Sequence, residues 1–209
     1  MKKFDKTWLA VSLVSLAAAA PAWAEDAQAR AQLQQKLAGM QQYQANFTQT
    51  VKDTEGDIVH EASGQLTMAR PDKLRWETAQ PDETLLIADG RSVWNMDTFV
   101  EQVTIVDQQR AVQDNPVILL TTSDSNEWKK FAIDRTTDGA YAISPVDGQG
   151  QIQQLNLYFD GDTLNRLTMT DAQEQRSTLE FSDIDTQFTP SVSLFEVTVP
   201  DTYTIDDQR

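Results

Sequence analysis

The hydrophobic positions near the start of the chain follow a helical period and then change to an alternating one. Apolar side chains first recur at steps of three and four residues, at Ala29, Leu33, Leu37 and Met40. This spacing predicts one helix with a single apolar stripe, ending near Gly39. From residue 43 onward apolar and polar residues alternate, which is typical of strands that bury one face. We therefore expect a helix that lies across a sheet.

The alternation continues almost to the end of the chain and is interrupted by short turns. Asp89-Gly90 is a strong hairpin signal, and Asp138-Gly139 and Asp160-Gly161 supply further turns. The predicted strands cover residues 43–51, 58–68, 74–76, 84–88, 94–105, 128–134, 141–145, 152–159, 164–170 and 177–181, with a late strand at 195–199 that continues through Tyr203 and Ile205. Successive strands joined by short turns predict one strongly curved antiparallel sheet.

A second helical segment interrupts the strands at Asn115-Pro116. Asn is a favoured N-cap and Pro a favoured first helical residue, so the pair predicts a helix start. Residues 117–120 follow without a polar interruption, and a short helix that is apolar all round must be covered on several sides. The space between such helices and a concave sheet is a core or a cavity, and the periodicity allows both.

The first 24 residues have the features of a cleaved secretory signal. Lys2, Lys3 and Lys6 precede an apolar stretch over residues 8–20, and Ala22-Trp23-Ala24 forms an A-x-A cleavage signal. We expect a signal peptide over residues 1–24 and one mature domain over residues 25–209, located in a bacterial periplasm. No later stretch has the apolar length of a transmembrane helix, so we expect a soluble protein.

Composition and charge exclude several classes of function. The chain has 0 Cys, which excludes disulfides, thiol catalysis and Cys-ligated metal. Its net charge is −15, and without Lys2, Lys3, Lys6 and Asp5 the balance is 14 basic against 31 acidic residues. Such a surface is repelled by nucleic acid and by anionic lipid headgroups. We expect no nucleic-acid partner.

The sequence offers no recognisable catalytic or metal-binding set. His60 is the only histidine and has no Ser or Asp partner at a meaningful spacing. Asp183 and Asp185 could share a hard cation, but no further ligands accompany them, and a solvated strand face explains them better. No phosphate loop or dinucleotide fingerprint is present. We therefore expect a protein that is not an enzyme and has no cofactor or metal.

Arg70 shares its parity with an apolar row in the stretch MARPDKLRWE. In a strand, Leu66, Met68, Leu74 and Trp76 would share its face. Arg70 could open a turn with Pro71 at the second position and hold its guanidinium in water. It could instead lie at the rim of the concave face and donate to backbone carbonyls of a covering helix. The local pattern favours the turn with a solvated guanidinium and leaves the second interpretation open.

Several short motifs, in order along the chain, resemble the LolA family of periplasmic outer-membrane lipoprotein carriers. They are F-T-Q at Phe47–Gln49, R-P at Arg70-Pro71, Trp76, Q-P-D-E at Gln80–Glu83, D-G at Asp89-Gly90, F-V-E-Q at Phe99–Gln102 and D-D-Q-R at Asp206–Arg209. The resemblance implies a mainly β (α+β) fold, an incomplete antiparallel β-barrel of roughly eleven strands, covered by short lid helices around an apolar cavity.

The resemblance also implies a function in transport. A member of this family acts as a monomer that accepts acylated lipoproteins from an ABC-type releasing complex of the inner membrane (LolCDE-like), shields their acyl chains and delivers them to an outer-membrane lipoprotein receptor (LolB-like). The residue matching Arg70 holds the lid closed in that family. Leu74 stands where the family often has Phe. The residues expected to line the lipid cavity are Phe47, Leu66, Met68, Leu74, Trp76, Trp94, Met96, Val117, Ile118 and Leu120.

Three other functions compete with the carrier. A periplasmic lipid-sensing or regulatory domain of the same fold is the main alternative, although we expect no second domain after Arg209 to carry a signal. The outer-membrane receptor shares the fold but needs an anchoring Cys, which this chain lacks. A lipid-modifying enzyme needs a nucleophile and a base, and no such pair is visible.

Overall fold

The described part of the chain forms one twelve-stranded sheet that stays open. The computed structural model describes the backbone of residues 22–209 and the side chains of residues 27–209. Most of the predicted signal peptide, residues 1–21, lies outside the described residues. The strands are β1 Gln42–Lys52, β2 Ile58–Ala69, β3 Lys73–Gln80, β4 Thr84–Asp89, β5 Ser92–Asp97, β6 Gln102–Asp107, β7 Phe131–Arg135, β8 Tyr141–Pro145, β9 Ile152–Asp160, β10 Thr163–Asp171, β11 Arg176–Asp185 and β12 Thr204–Asp207.

The sheet is antiparallel except at one edge. Its strand order is β12-β6-β5-β4-β3-β2-β1-β11-β10-β9-β8-β7, and β12 pairs with β6 in parallel. The strands β6 and β7 are separated in the chain by helical residues and lie near opposite edges. The predicted incomplete barrel is therefore confirmed, with 12 strands where roughly eleven were expected.

Within residues 22–209, three α-helices and two 3₁₀ helices accompany the sheet. They are α1 Ala22–Gly39, α2 Gln108–Asp114, a 3₁₀ helix Pro116–Leu120, α3 Ser125–Trp128 and a second 3₁₀ helix Val192–Phe195. Side-chain caps explain why the short helices begin where they do. Asp107 accepts from the Gln109 amide at 3.0 Å, Asn115 from the Val117 amide at 3.3 Å, and Asp124 from the Asn126 amide at 2.8 Å. Among the described residues, no helix is long and apolar enough to cross a membrane.

The main core lies on the concave face of the sheet. The predicted stripe of α1 is buried, with Ala29 3% and Leu33 0% exposed, so the helix lies across this face as expected. Alternate strand residues point inward, and the register pairs Leu66 with Trp76 and Met68 with Leu74. The Tyr43 hydroxyl donates to the Leu164 carbonyl at 2.9 Å, which joins β1 to β10 inside the core. Burial raises the pKa of this hydroxyl well above its ordinary value.

Gly64 lets β2 pass close to both of its neighbours. A Cβ at this position would lie 1.9 Å from the Glu77 carbonyl oxygen and 2.7 Å from Cζ of Phe47. Only a residue without a side chain fits there, because any larger one would overlap the next strand. The ring of Phe47 therefore reaches Trp76 across Gly64, and the two rings meet edge to face with centroids 5.6 Å apart.

The prediction of a late strand at residues 195–199 is wrong. Phe195 ends a 3₁₀ helix, and Val197 and Val199 lie in an irregular segment that packs on the convex face of the sheet. Alternating apolar residues here reflect packing on one side only, without a strand partner. The chain regains strand structure only at β12. The predicted strand 128–134 also starts late, because Trp128 ends α3 and β7 begins at Phe131.

Candidate functional site

An apolar segment of the chain fills part of the concave face. We call residues 108–128, which contain α2, the first 3₁₀ helix and α3, the cover segment. At its centre Val117, Ile118, Leu119 and Leu120 are each 0% or 1% exposed. All four belong to the same cluster of buried residues as the inner side chains of the sheet. The cover segment thus packs as an apolar plug against the sheet.

Arg70 joins the rim of the sheet to the cover segment. Its Nη1 donates to the Leu120 carbonyl at 2.6 Å, and its Nη2 donates to the Thr122 carbonyl at 2.8 Å. The hydrogen bonds expected of a rim arginine are therefore present, and the guanidinium does not extend into water. Burial lowers the pKa of Arg70 from its ordinary value, and the nearby Asp72 carboxylate opposes this shift.

Two turns of the sheet hold the same part of the cover segment through other contacts. The Asp72 amide donates to the Thr121 carbonyl at 3.1 Å. Gln108 bridges the two turns: its Nε2 donates to the Asp72 carbonyl at 3.0 Å, and its Oε1 accepts from the Gly90 amide at 2.9 Å. Gly90 has φ +95°, so glycine suits this turn. The β2–β3 and β4–β5 turns together form the rim that receives the cover segment.

Arg30 forms a second bridge that the sequence analysis missed. From α1 its Nη1 donates to the Trp128 carbonyl and its Nη2 to the Phe131 carbonyl, both at 2.5 Å. The indole Nε1 of Trp128 donates in turn to the Thr122 carbonyl at 3.3 Å. Thr122 therefore accepts from both Trp128 and Arg70. A continuous chain of hydrogen bonds links α1 through the cover segment to the β2–β3 turn.

Most of the predicted lining residues meet in one place. Phe47, Leu66, Met68 and Leu74 are buried at 0–2% exposure in the main core, and Trp76 packs against them while partly buried. Val117, Ile118 and Leu120 contribute from the cover segment. Leu74 is 1% exposed, so the position where the family often has Phe is still an interior apolar one. The structure thus brings eight of the ten predicted residues together; these eight are Phe47, Leu66, Met68, Leu74, Trp76, Val117, Ile118 and Leu120.

Trp94 and Met96 are the two exceptions, and their prediction as lining residues is wrong. Both belong to a second cluster on the convex face, where Met96 pairs across strands with Val103 and Trp94 with Ile105. Their neighbour Val93 points to the main core instead. The short β4–β5 turn sets this parity, because it places Trp94 opposite Ile87. The C-terminal segment covers the convex cluster through Val197, Val199 and Tyr203.

Part of the inner apolar surface is not fully covered. Several large side chains pack against the main core but stay only partly buried: Trp76, Leu86, Phe159, Met169, Phe181 and Ile184. Trp76, Leu86 and Met169 lie toward the end of the sheet away from the Arg70 turn. These residues form an apolar margin next to the plug.

The charged groups near the rim serve structural roles. Burial alone would raise the pKa of Asp89, but hydrogen bonds from the Ser92 amide, the Trp94 indole and the Arg91 amide outweigh it and hold the pKa below its ordinary value.

His60 lies on an exposed part of β2. Within residues 22–209, no group of three or more His, Asp or Glu side chains is placed to hold a metal ion.

Sequence comparisons identify close relatives over nearly the whole chain. A family model described as outer membrane lipoprotein carrier protein LolA matches residues 38–198. The outer-membrane lipoprotein carrier protein of Shewanella sediminis is 35% identical over 177 residues, which is 85% of each chain. That of Pseudoalteromonas translucida is 34% identical over 212 residues, covering 100% of this chain and 98% of the relative.

Solved structures share the fold at low sequence identity. A LolA superfamily protein from Nitrosomonas europaea aligns with a TM-score of 0.50 and 13% identity, covering 80% of this chain and 97% of its own. An outer membrane lipoprotein-sorting protein domain from Vibrio parahaemolyticus gives a TM-score of 0.50, 11% identity and coverage of 80% and 94%. These likenesses support the open sheet alone. The family match over residues 38–198 and the relatives at 34–35% identity lead to one assignment: the chain belongs to the LolA family of outer membrane lipoprotein carrier proteins.

Proposed function

We propose that this protein carries lipoproteins by enclosing their acyl chains on the concave face of its sheet. The observation that carries the proposal is the plug: four consecutive apolar residues, 117–120, are fully buried, yet the segment that contains them is tied to the rest of the protein by hydrogen bonds at Leu120 and Trp128. A segment of this kind can leave as a unit. An acyl chain would then take its place against Phe47, Leu66 and Trp76.

Burial of the plug residues and burial of a guest acyl chain contribute free energies of the same order. Burying a Val, Leu or Ile side chain contributes about 1.5–3 kcal/mol, so the four plug residues contribute roughly 10 kcal/mol. An acyl chain contributes about 0.8 kcal/mol per buried CH₂, so a chain of about 15 methylenes contributes roughly 12 kcal/mol. Replacing the plug by one acyl chain therefore changes the free energy very little. The further chains of a lipoprotein anchor supply the net affinity.

This balance suits a carrier that must also release its cargo. A permanently open apolar cavity would bind acyl chains more tightly and would be unstable when empty. A plug that competes with the guest lowers the net affinity and stabilises the empty protein. Binding and release of this kind make and break no covalent bond, so the proposal assigns no catalytic residue.

The route of the cargo is the finer part of the proposal. We infer that the protein works in the periplasm, receives lipoproteins from an ABC-type complex of the inner membrane and passes them to a receptor at the outer membrane. The names of its relatives support the outer-membrane destination. The net charge of −15 fits this role, because a strongly acidic surface does not adhere to anionic lipid headgroups.

Mass spectrometry of the protein purified from a bacterial periplasm tests the proposal. We expect co-purified triacylated lipoprotein. Free fatty acid or phospholipid as the sole ligand would contradict the carrier role and favour the lipid-sensing alternative.

A substitution on the inner face tests where the cargo binds. Trp76 is only partly buried, so Trp76→Glu should leave the sheet folded while it places a carboxylate against the acyl chains. We expect the co-purified lipoprotein to fall by at least about ten-fold. Ile205→Glu is the control, because Ile205 is 56% exposed in β12. Equal loading of the two variants, with native circular dichroism, would show that cargo does not bind at Trp76.

A further inference from the structure

The turn between β5 and β6 exposes two adjacent apolar residues. Phe99 is 82% exposed and Val100 is 57% exposed, both at the tip of the hairpin. The hairpin lies at the end of the sheet opposite the Arg70 turn, because β5 runs away from the β4–β5 turn at Gly90. The mechanism proposed above uses neither side chain. Exposure of a phenyl ring next to a second apolar side chain is typical of a contact surface.

The surrounding contacts hold this turn in one shape. The Asp97 carboxylate accepts from the Phe99 amide at 2.9 Å and from the Val100 amide at 3.2 Å. Thr98 binds the β3–β4 turn, since its hydroxyl donates to the Glu83 carbonyl at 2.7 Å. On the other side the Thr204 amide donates to the Glu101 carbonyl at 2.8 Å. Because the turn is already fixed from both sides, little conformational entropy is lost when Phe99 binds a partner.

The charged residues in the turns next to the exposed pair are all acidic, and we call them the acidic ring. The three adjoining turns, residues 80–83, 97–102 and 200–204, contain no Lys or Arg. Their acidic residues are Asp82, Glu83, Asp97, Glu101 and Asp201. An apolar tip inside an acidic ring complements an apolar socket inside a basic ring.

We propose that Phe99 and Val100 dock this protein onto another protein whose surface offers an apolar socket rimmed by Lys or Arg. A membrane surface fits worse, because anionic headgroups repel the acidic ring. A second copy of the chain fits worse as well, since it would bring two acidic rings together. The inference rests on the proposed carrier function only in that the partner would be a protein that loads or unloads the cargo.

Site-specific photocrosslinking identifies the partner. With p-benzoylphenylalanine in place of Phe99 in the full chain, illumination of living cells should give one dominant adduct with a different protein, which mass spectrometry identifies. Adducts with lipid alone, or with a second copy of this chain, would overturn the proposal.

Binding of the identified protein, purified, then tests the chemistry. Phe99→Ser/Val100→Ser should weaken its binding by about ten-fold or more, and Asp82→Lys/Glu101→Lys should weaken it and remove most of its salt dependence. Ile58→Ser/Val59→Ser is the matched control at the same end of the sheet, since Ile58 and Val59 are 56% and 51% exposed. These two neighbours lie in a strand and point to opposite faces, so they form no common tip.

The outcomes separate this inference from the carrier function. Co-purified lipoprotein should be unchanged in Phe99→Ser/Val100→Ser, because neither side chain belongs to the main core or to the apolar margin next to the plug. Equal binding by the tip variant, the control variant and the unaltered protein would refute the docking surface while leaving cargo binding intact. An absence of cargo in the unaltered protein would instead refute the carrier function and leave the docking result standing.

Discussion

Replacing Arg70 by Leu should loosen the cover segment without unfolding the sheet. The change removes two hydrogen bonds from a charged group, to the Leu120 and Thr122 carbonyls. A hydrogen bond to a charged group contributes about 1.5–3 kcal/mol, and the half-buried position of Arg70 reduces this. We expect closure to weaken by about 2–4 kcal/mol in total. At 1.4 kcal/mol per factor of ten, the closed-to-open ratio falls by about 30- to 700-fold.

Hydrogen exchange measures this ratio directly. The Asp72 amide donates to the Thr121 carbonyl and the Gly90 amide to the Gln108 side chain, so both lose their acceptors and exchange when the cover segment opens. In Arg70→Leu their exchange should accelerate by the same factor, while amides at the centre of the sheet keep their rates. The affinity for cargo should rise in parallel, because the plug competes less. Loaded carrier should then accumulate, and delivery to a reconstituted receptor should fail.

Arg91→Leu is the matched control for this experiment. Arg91 is an exposed arginine in the β4–β5 turn at the same rim, so its loss removes the same charge. Unchanged exchange of the Asp72 and Gly90 amides in Arg70→Leu would refute the latch. Faster exchange throughout the sheet would refute it as well, since the bonds would then support the whole fold.

Two further substitutions test the fold around the site. Gly64→Ala should destabilise the protein by about 2–4 kcal/mol in urea unfolding, because the new Cβ overlaps the Glu77 carbonyl, whereas Gly39→Ala meets nothing within 4 Å and should be neutral or slightly stabilising. Asp89 has a lowered pKa, so its carboxylate stabilises the fold above the ordinary carboxyl pKa of about 3.9, and this contribution is lost as the pH falls through the lower folded value. In Asp89→Asn the unfolding free energy should therefore be lower at pH 6 and should change less between pH 6 and pH 2, roughly, than in the unaltered protein.

Each of these two tests has a clear opposing result. Equal stability of Gly64→Ala and Gly39→Ala would mean that β2 and β3 can separate without loss. An unchanged pH dependence in Asp89→Asn would mean that other carboxylates dominate the acid unfolding.

The strands of the concave face could be predicted because one of their sides is buried against apolar groups. Tyr43, Leu66 and Leu74 each point inward at alternate positions, and the period of two in the sequence follows from that. The same reasoning failed for Val197 and Val199. They alternate because they lie on the apolar convex face, and a chain lying flat on a sheet can produce the pattern of a strand without pairing.

The sequence could not predict which face of the sheet a residue after a tight turn points to, and it could not predict the shortest helices. Trp94 follows a tight turn, and only the actual pairing with Ile87 shows that it points outward. Helix α2 has few apolar residues, and its start depends on the Asp107 cap. Whether the interior is a core or a cavity was also open, because the plug residues suit both: they are core in the closed form and would become lining when a guest enters.

The arginine bridges differ in what the sequence could reveal about them. Arg70 was a candidate because its parity places it in line with an inner apolar row. Arg30 gave no such signal, since its contacts depend on how α1 crosses β7 and on where α3 ends. The acceptors of both arginines are backbone carbonyls. Because every residue type has one, the sequence does not reveal which residues are the partners.

The hydrogen-bond chain from Arg30 to Arg70 should make the two bridges cooperative. Arg30 positions the Trp128 backbone, the Trp128 indole bonds the Thr122 carbonyl, and Arg70 bonds that same carbonyl. Removing either arginine should thus loosen the contact that the other makes. In a double-mutant cycle of Arg30→Leu and Arg70→Leu, with exchange of the Asp72 and Gly90 amides as the readout, we expect a coupling energy of about 0.5–2 kcal/mol. Additive effects would mean that α1 and the β2–β3 turn hold the plug independently, so that either end could open first.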